Sequence, residues 1–251
     1  MSKYIQSKKF LSYIRQGDYA HAGEEKAIVL ALEGIPKDPT RKILDVGCGL
    51  GGTAHYIQTQ GWGEVTGIDI EGEAIDYAKK TYSNLRFFQS DILDAHKVLE
   101  KEKFDLFVIF NAFFSFPDQA QTLKTLAQHA NPQAKLIIFD YSVNDNVIPE
   151  NPFTGGNTTY FSPLQKETIH DLLTENNWEL ENYIDISHHL QKWYTELVER
   201  MEKLKPQAID LFTENDFNRM YTNFSKALEL SKQKRLGACI IKAKINLAIH
   251  R

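Results

Sequence analysis

The chain has 251 residues, of which 42% are hydrophobic and 25% charged, an ordinary globular balance with room for one sizeable core and an insertion. A formal net charge of −4 excludes a general nucleic-acid binder. No apolar run approaches the ~20 residues of a membrane span, and Met1–Gln6 lacks the apolar core of a signal peptide, so a cytoplasmic location is expected. Of the two cysteines, Cys48 falls in a glycine-rich turn and Cys239 in a late strand, which predicts no structural disulfide.

Residues 2–33 read as helices broken near Gly17 and Gly23, a cap (1–35) that precedes the core. A linker turn, Pro36-Lys37-Asp38-Pro39, leads into a first strand, Lys42 to Val46. Glycines 47, 49, 51 and 52 turn the chain into a helix, Thr53 to Gln60, which Gly61-Trp62-Gly63 ends. A second strand (64–70) closes on Asp69 and Ile70, a helix spans 73–82, and a third strand (85–89) runs into Ser90-Asp91-Ile92. Phe104 to Phe110 is a continuous apolar run, the mark of a strand buried on both faces. Asn111 to Phe116 leaves it, a helix spans 117–129, and a fifth strand spans 134–141. Alternation of this kind predicts a parallel sheet with helices on both faces.

Residues 142–161 hold prolines, glycines and asparagines and read as a long loop. Ser162-Pro163-Leu164-Gln165 has the spacing of a capping box for a helix to Asn176. Two late strands, 179–186 and 239–248, flank a helical insertion (187–236) of two segments parted near Pro206. The whole chain, 1–251, reads as one domain. The locally basic stretch 225–251 reads as a solvated face.

The polar residues at the strand ends carry the chemistry. In a doubly wound sheet, ligands bind at the carboxyl ends of the strands. Asp45, Asp69, Asp91 and Asn111 fall at four such ends in succession. Asp69 lies about 20 residues past the turn, the spacing for an acid that accepts ribose hydroxyls. Asp91 suits an adenine amine, and Ile92 its face. Gly47-x-Gly49-x-x-Gly52 also fits the dinucleotide fingerprint. However, a carboxylate at Asp45 would repel a pyrophosphate, whereas it suits an ammonium and a sulfonium. No His, Cys or Asp spacing resembles a metal-ligand set.

The pattern Asp45-x-Gly47-x-Gly49-x-Gly51 resembles motif one of the class I S-adenosylmethionine (SAM) methyltransferases, over roughly residues 41–141. The resemblance implies a Rossmann-like α/β sheet of seven strands in the order 3-2-1-4-5-7-6, the last antiparallel. It also implies a cofactor site of Tyr19, His21, Asp45, Gly47, Gly49, Gly51, Asp69, Ile70, Asp91, Ile92 and Asn111. A narrower likeness lies in Gly17-Asp18-Tyr19-Ala20-His21-Ala22-Gly23, Leu50-Gly51-Gly52, Asp140-Tyr141 and the insertion. These look like the small-molecule N-methyltransferases acting on phosphoethanolamine, or on sarcosine and dimethylglycine. In that group the N-terminal segment lies over SAM.

This chain departs from the phosphoethanolamine enzymes after the fourth strand. They carry an Asp and, four residues later, a catalytic His, where this chain has Asn111 and Ser115. The proton-abstracting dyad is absent, and Phe113, Phe114 and Phe116 make the surroundings apolar. Candidate catalytic residues are Tyr19, His21 and Ser115, with His21 open to a cofactor-side role instead. The His188-His189 pair is a further candidate base. Phe114, Tyr141 and Tyr160 are candidates for the substrate side, while Trp193 and Tyr194 suit the core of the insertion. The expected reaction is methyl transfer to nitrogen or oxygen of a small molecule, by a monomer or homodimer. An apolar or lipid-like acceptor and a SAM-binding module without catalysis are the alternatives.

Overall fold

A computed structural model describes residues 3–143, 147–153 and 160–246. Two helices, α1 (Lys3–Arg15) and α2 (Glu24–Ala31), precede the sheet. The alternating part follows as β1 (Lys42–Val46), α3 (Gly52–Thr59), β2 (Glu64–Asp69), α4 (Gly72–Thr81) and β3 (Arg86–Gln89). It continues with α5 (His96–Leu99), β4 (Phe104–Phe110), α6 (Gln119–Gln128) and β5 (Ala130–Val143). The last part comprises β6 (Leu164–Gln165), α7 (Lys166–Thr174), β7 (Trp178–Asp185), α8 (Ser187–Lys203), α9 (Lys205–Leu211), α10 (Glu214–Lys232) and β8 (Gly237–Ile245).

The sheet order is β3-β2-β1-β4-β5-β8-β7, with the two-residue β6 added beside β5. β8 runs antiparallel to both β5 and β7, and the other pairings are parallel. Apart from β6, this is the expected seven-strand order with its antiparallel last strand. β4 sits between β1 and β5, which explains its apolar run. Its side chains alternate between two cores. Leu106, Val108 and Phe110 join the layer with α1–α4 and α8–α10, and Phe107 and Ile109 join the layer with α5–α7.

The expectations shift in several places. Ser162 does not open a capping box. Its N–H donates to Phe114 O, Leu164 and Gln165 pair with Ser142 and Val143, and α7 starts with no side-chain cap. Pro163 holds the preceding residue extended, so the segment joins the sheet. The helix expected from Pro117 begins at Gln119, because Asp118 Oδ1 accepts Gln121 N–H as the N-cap. β5 is longer than expected, entered through Gln133 in a left-handed conformation with an irregular pairing to β4. The insertion is three helices, since Thr213 caps a second start after the one at Pro206. Within the expected loop, 144–146 and 154–159 lie outside the described residues, as do 247 and 248 of the last expected strand.

Candidate functional site

The carboxyl ends of β1, β2 and β4 meet under α1 and the segment after it. Gly47 and Gly51 have φ of 76° and 89°, a region that disfavours residues with a Cβ. A Cβ on Gly47 would lie 2.6 Å from that of Ala112, and one on Gly52 would lie 2.4 Å from the Asp18 carbonyl oxygen. The second contact shows the N-terminal segment seated directly on the turn. Asp18 is held there by Ser12 Oγ at 2.6 Å, Tyr82 Oη at 2.7 Å and Tyr77 Oη at 3.1 Å.

Asp69 is preorganised by backbone. Gly49 N–H donates to Oδ2 at 2.8 Å and Glu71 N–H to Oδ1 at 2.9 Å. Lys8 Nζ of α1 lies 3.1 Å from the same Oδ2, an ion pair across the mouth of the site. Asp45 is 1% exposed, and its Oδ2 has no partner among the described residues. Burial, then the charge of Asp69, pushes its carboxyl up to about 7, against the pull of Lys8. Asn111 adopts φ 48°, and neither atom of its buried amide has a partner among the described residues. Orphaned polar atoms of this kind at a cleft wall fit a ligand with both donors and a positive charge.

A cleft of about 480 Å³ runs past these groups, lined by Ile68–Glu71, Ser90–Leu93, Asn111, Phe114–Asp118 and Tyr160. A smaller recess beside it is lined by Lys8, Asp18–His21, Asp45, Gly47, Cys48, Leu50, Thr53 and Phe110. Ile70 is 64% exposed on the cleft wall, and Ile92 is buried there. Asp91 lines the cleft too, while its Oδ1 caps the next turn by accepting Leu93 N–H at 2.9 Å.

The candidate bases are occupied. His21 is buried, with Nδ1 3.2 Å from Ala22 O and Nε2 3.0 Å from Thr53 Oγ1. A carbonyl only accepts, so Nδ1 carries the proton and Nε2 accepts from the threonine hydroxyl. Burial lowers this imidazole to about 3 and keeps it neutral. Tyr19 Oη donates to Glu25 at 3.2 Å, and burial followed by that carboxylate raises its phenol, which stays protonated. Ser115 Oγ donates to Ala112 O at 2.7 Å, and Ser115 lines the cleft. The His188 and His189 rings lie with centres 4.0 Å apart, tilted by 40°, and neither lines the cleft.

On the acceptor side the structure brings Phe114 and Tyr160 to the cleft, but not Tyr141. Tyr141 sits one ring deeper, edge-on to Phe114 at 4.9 Å, with its hydroxyl bonded to that of Tyr194. Trp193 and Tyr194 are core residues of α8, as expected. Sequence reasoning missed Lys8, Thr53 and the anchoring role of Asp140. Asp140 is fully buried and accepts Phe114 N–H at 3.1 Å and Tyr141 N–H at 2.7 Å, which ties the 111–115 turn to β5. Its place near a strand's carboxyl end, like that of Asp45, was the available signal. Lys8 and Thr53 carried none, because their roles arise only when α1 and residues 16–23 fold over the turn.

A family profile described as a methyltransferase domain matches residues 37–200. The chain belongs to the methyltransferase domain family. An O-methyltransferase of Pyrenophora dematioidea is 26% identical over 175 residues, 66% of this chain and 65% of that one. The phosphoethanolamine N-methyltransferase of Plasmodium falciparum is 25% identical over 237 residues, 90% of this chain and 86% of that one. The Haemonchus contortus phosphoethanolamine N-methyltransferase 2, solved with phosphomonomethylethanolamine and S-adenosylhomocysteine, shares the fold with a TM-score of 0.83 at 15% identity. That match covers 96% of this chain and 57% of the Haemonchus chain. This chain therefore spans less than two thirds of two of the three proteins. Within the family fold, Gly47, Asp69 and Asn111 line the cleft, and Asp45 lines the recess that adjoins it at Gly47. Among the described residues, no cluster of three His, Cys, Asp or Glu side chains could hold a metal. No described helix is long and apolar enough to cross a membrane.

Proposed function

We propose that this chain is a SAM-dependent methyltransferase acting on nitrogen or oxygen of a small molecule. One observation carries the reading: a buried carboxylate whose Oδ2 has no partner among the described residues (Asp45) lines the recess, a buried amide without one (Asn111) lines the adjoining cleft, and Gly47 of the glycine turn borders both. A dinucleotide's diphosphate would be repelled by Asp45, whereas a cofactor bearing an ammonium and a sulfonium meets it favourably. Asp45 and Asn111 hold the charged end, Asp69 takes ribose hydroxyls, and Ile70, Asp91 and Ile92 hold the adenine. Tyr19 and His21 close the N-terminal segment over the cofactor, and the 187–236 helices cover the acceptor side of the same domain.

When bound, SAM supplies an electrophilic methyl group on its sulfonium. The chain's part is to orient the nucleophile and exclude water. With His21 neutral and doubly bonded and Tyr19 protonated, no strong base among these candidates faces the cleft. The acceptor is thus an amine that presents its lone pair, or a hydroxyl acidic enough to ionise. For an amine acceptor, Ser115 Oγ accepts a hydrogen bond from its N–H and orients it. Buried thiols at Cys48 and Cys239 support a reducing, cytoplasmic setting.

Calorimetry with SAM, S-adenosylhomocysteine and NAD tests the cofactor, and tight NAD binding without SAM binding would sink the proposal. Transfer of a labelled methyl group onto amine, phenol and carboxylate panels tests the reaction. Tight SAM binding with no transfer to any acceptor would favour a binding module instead.

A further inference from the structure

Lys8 of α1 is held at the centre of the cofactor edge. Its Nζ lies 3.1 Å from Asp69 Oδ2, and its side chain is 11% exposed. It also rests on the glycine turn, since a Cβ on Gly49 would lie 3.2 Å from that Nζ. Packing places it there. Ile5, Phe10, Leu11 and Ile14 bury the inner face of α1, Gln6 donates to Asp216 at 2.8 Å, and Arg219 donates to Ser7 Oγ at 3.0 Å. The ammonium is therefore delivered by an anchored helix.

Two features give that ammonium a task. The first is charge. Lys8 lines both the cleft and the recess, and it is the only Lys or Arg among the described residues lining either. Asp18, Asp45, Asp69, Glu71, Asp91 and Asp118 line the same two spaces. SAM carries a carboxylate besides its ammonium and sulfonium, and within so acidic a site that carboxylate needs a counter-charge. Neutral His21 supplies none. The second is the number of lone pairs on Asp69. A carboxylate accepts at about four sites. Gly49 N–H, Glu71 N–H and Lys8 Nζ take three of them. Two ribose hydroxyls need two, so one donor must withdraw. The N–H groups are fixed in the backbone, and Lys8 is the donor on a rotatable side chain.

We propose that Lys8 exchanges partners on cofactor binding: it leaves Asp69 to the ribose hydroxyls and pairs with the carboxylate at the cofactor's amino-acid end. The exchange makes Lys8 a specificity residue. An adenosyl amino acid restores the ion pair that its ribose takes away, whereas a bare nucleoside breaks that pair and offers no replacement. This role presupposes the methyltransferase reading, because it concerns how that cofactor is chosen.

The test is calorimetry at pH 7.5 on the full chain with SAM, decarboxylated SAM and 5′-methylthioadenosine. Decarboxylated SAM keeps the ribose, the ammonium and the sulfonium but lacks the carboxylate. Its higher positive charge favours it in an acidic site, so a preference for SAM reports a local contact. The unaltered protein is expected to bind SAM about tenfold or more tightly than decarboxylated SAM. Lys8→Met should lower that ratio by about tenfold, and Lys8→Arg should keep most of it. Methylthioadenosine should bind Lys8→Met at least as well as the unaltered protein, because nothing then competes with its ribose for Asp69. A ratio below about threefold in the unaltered protein, which needs no variant, overturns the exchange. So does a fall of less than about threefold in Lys8→Met, or a loss of methylthioadenosine affinity there as large as that of SAM. Tight SAM binding without the carboxylate preference confines the failure to Lys8, and absent SAM binding in the unaltered protein overturns the methyltransferase reading itself.

Discussion

Replacing Asp45 by Asn should uncouple cofactor affinity from pH. Asp45 is 1% exposed, and its Oδ2, beside the glycine turn, has no partner among the described residues. Burial and the charge of Asp69 raise its carboxyl to about 7. Because the folded value lies above the unfolded one, protonation of Asp45 favours the ligand-free fold, and that contribution is lost as pH rises through about 7. A cationic ligand prefers the opposite form, so its affinity falls as pH drops. With a carboxyl titrating at 7, the ionised fraction rises from about 0.09 at pH 6.0 to about 0.76 at pH 7.5, an increase of about eightfold. At pH 7.5 about 60–75% of an amine with the ordinary α-amino value of about 7.7–8.0 is still an ammonium, which trims the expected rise to about five- to sixfold. Calorimetry across this range should find SAM affinity rising by about that factor. Repeating the titration at pH 7 in buffers of different ionisation enthalpy should show release of about half a proton. Asp45→Asn should bind at least tenfold more weakly at pH 7.5, with no proton release. It should also melt higher than the unaltered protein at pH 8 without ligand, because a buried unpaired charge is gone. A pH-independent affinity in the unaltered protein would refute this reasoning, as would an unchanged pH slope in Asp45→Asn.

Asp69→Ala removes the acceptor of two backbone N–H groups and the partner of Lys8, and should weaken SAM binding several-fold or more by calorimetry. Gly52→Ala forces a methyl group toward the Asp18 carbonyl, so a lower melting midpoint and weakened SAM binding are both expected. Thr53→Val strips the donor from His21 Nε2, and denaturant unfolding should report a loss of about 1–3 kcal/mol. Since burial holds His21 to about 3, kcat profiles of His21→Asn and the unaltered protein should have the same shape between pH 5.5 and 8. An acid limb, with kcat falling below about pH 6.5 in the unaltered protein and lost in that variant, would restore His21 as the base.

Much of the fold was legible in the chain because its signals are local. Apolar runs with period two or none mark strands, glycines mark the turn after the first strand, and an acid at a strand's end falls at the carboxyl edge of the sheet whatever the rest does. Those rules sufficed for the alternating parallel sheet, whereas its strand order came from the resemblance to the class I methyltransferases; Asp69 and Asn111 line the cleft, and Asp45 the recess beside it. The rules failed where a local motif competed with longer-range pairing. Ser162–Gln165 has capping-box spacing, yet its backbone found partners on Phe114 and β5. Tyr141 sits beside the binding edge in sequence, but the packing of α8 draws its hydroxyl to Tyr194 and away from the cleft.

Residue types along the chain were enough to determine a strand–turn–helix edge with carboxylates at the strand ends, since a strand end and a glycine turn need only neighbouring residues. The state of each side chain was decided by the tertiary structure alone. His21 became a neutral, doubly bonded ring, Asp45 a buried acid titrating near neutrality, and Lys8 the ion-pair partner of Asp69. Burial and hydrogen-bond partners decide protonation and reach, and those partners lie tens of residues away in sequence, brought together only when the N-terminal segment and α8 close over the sheet.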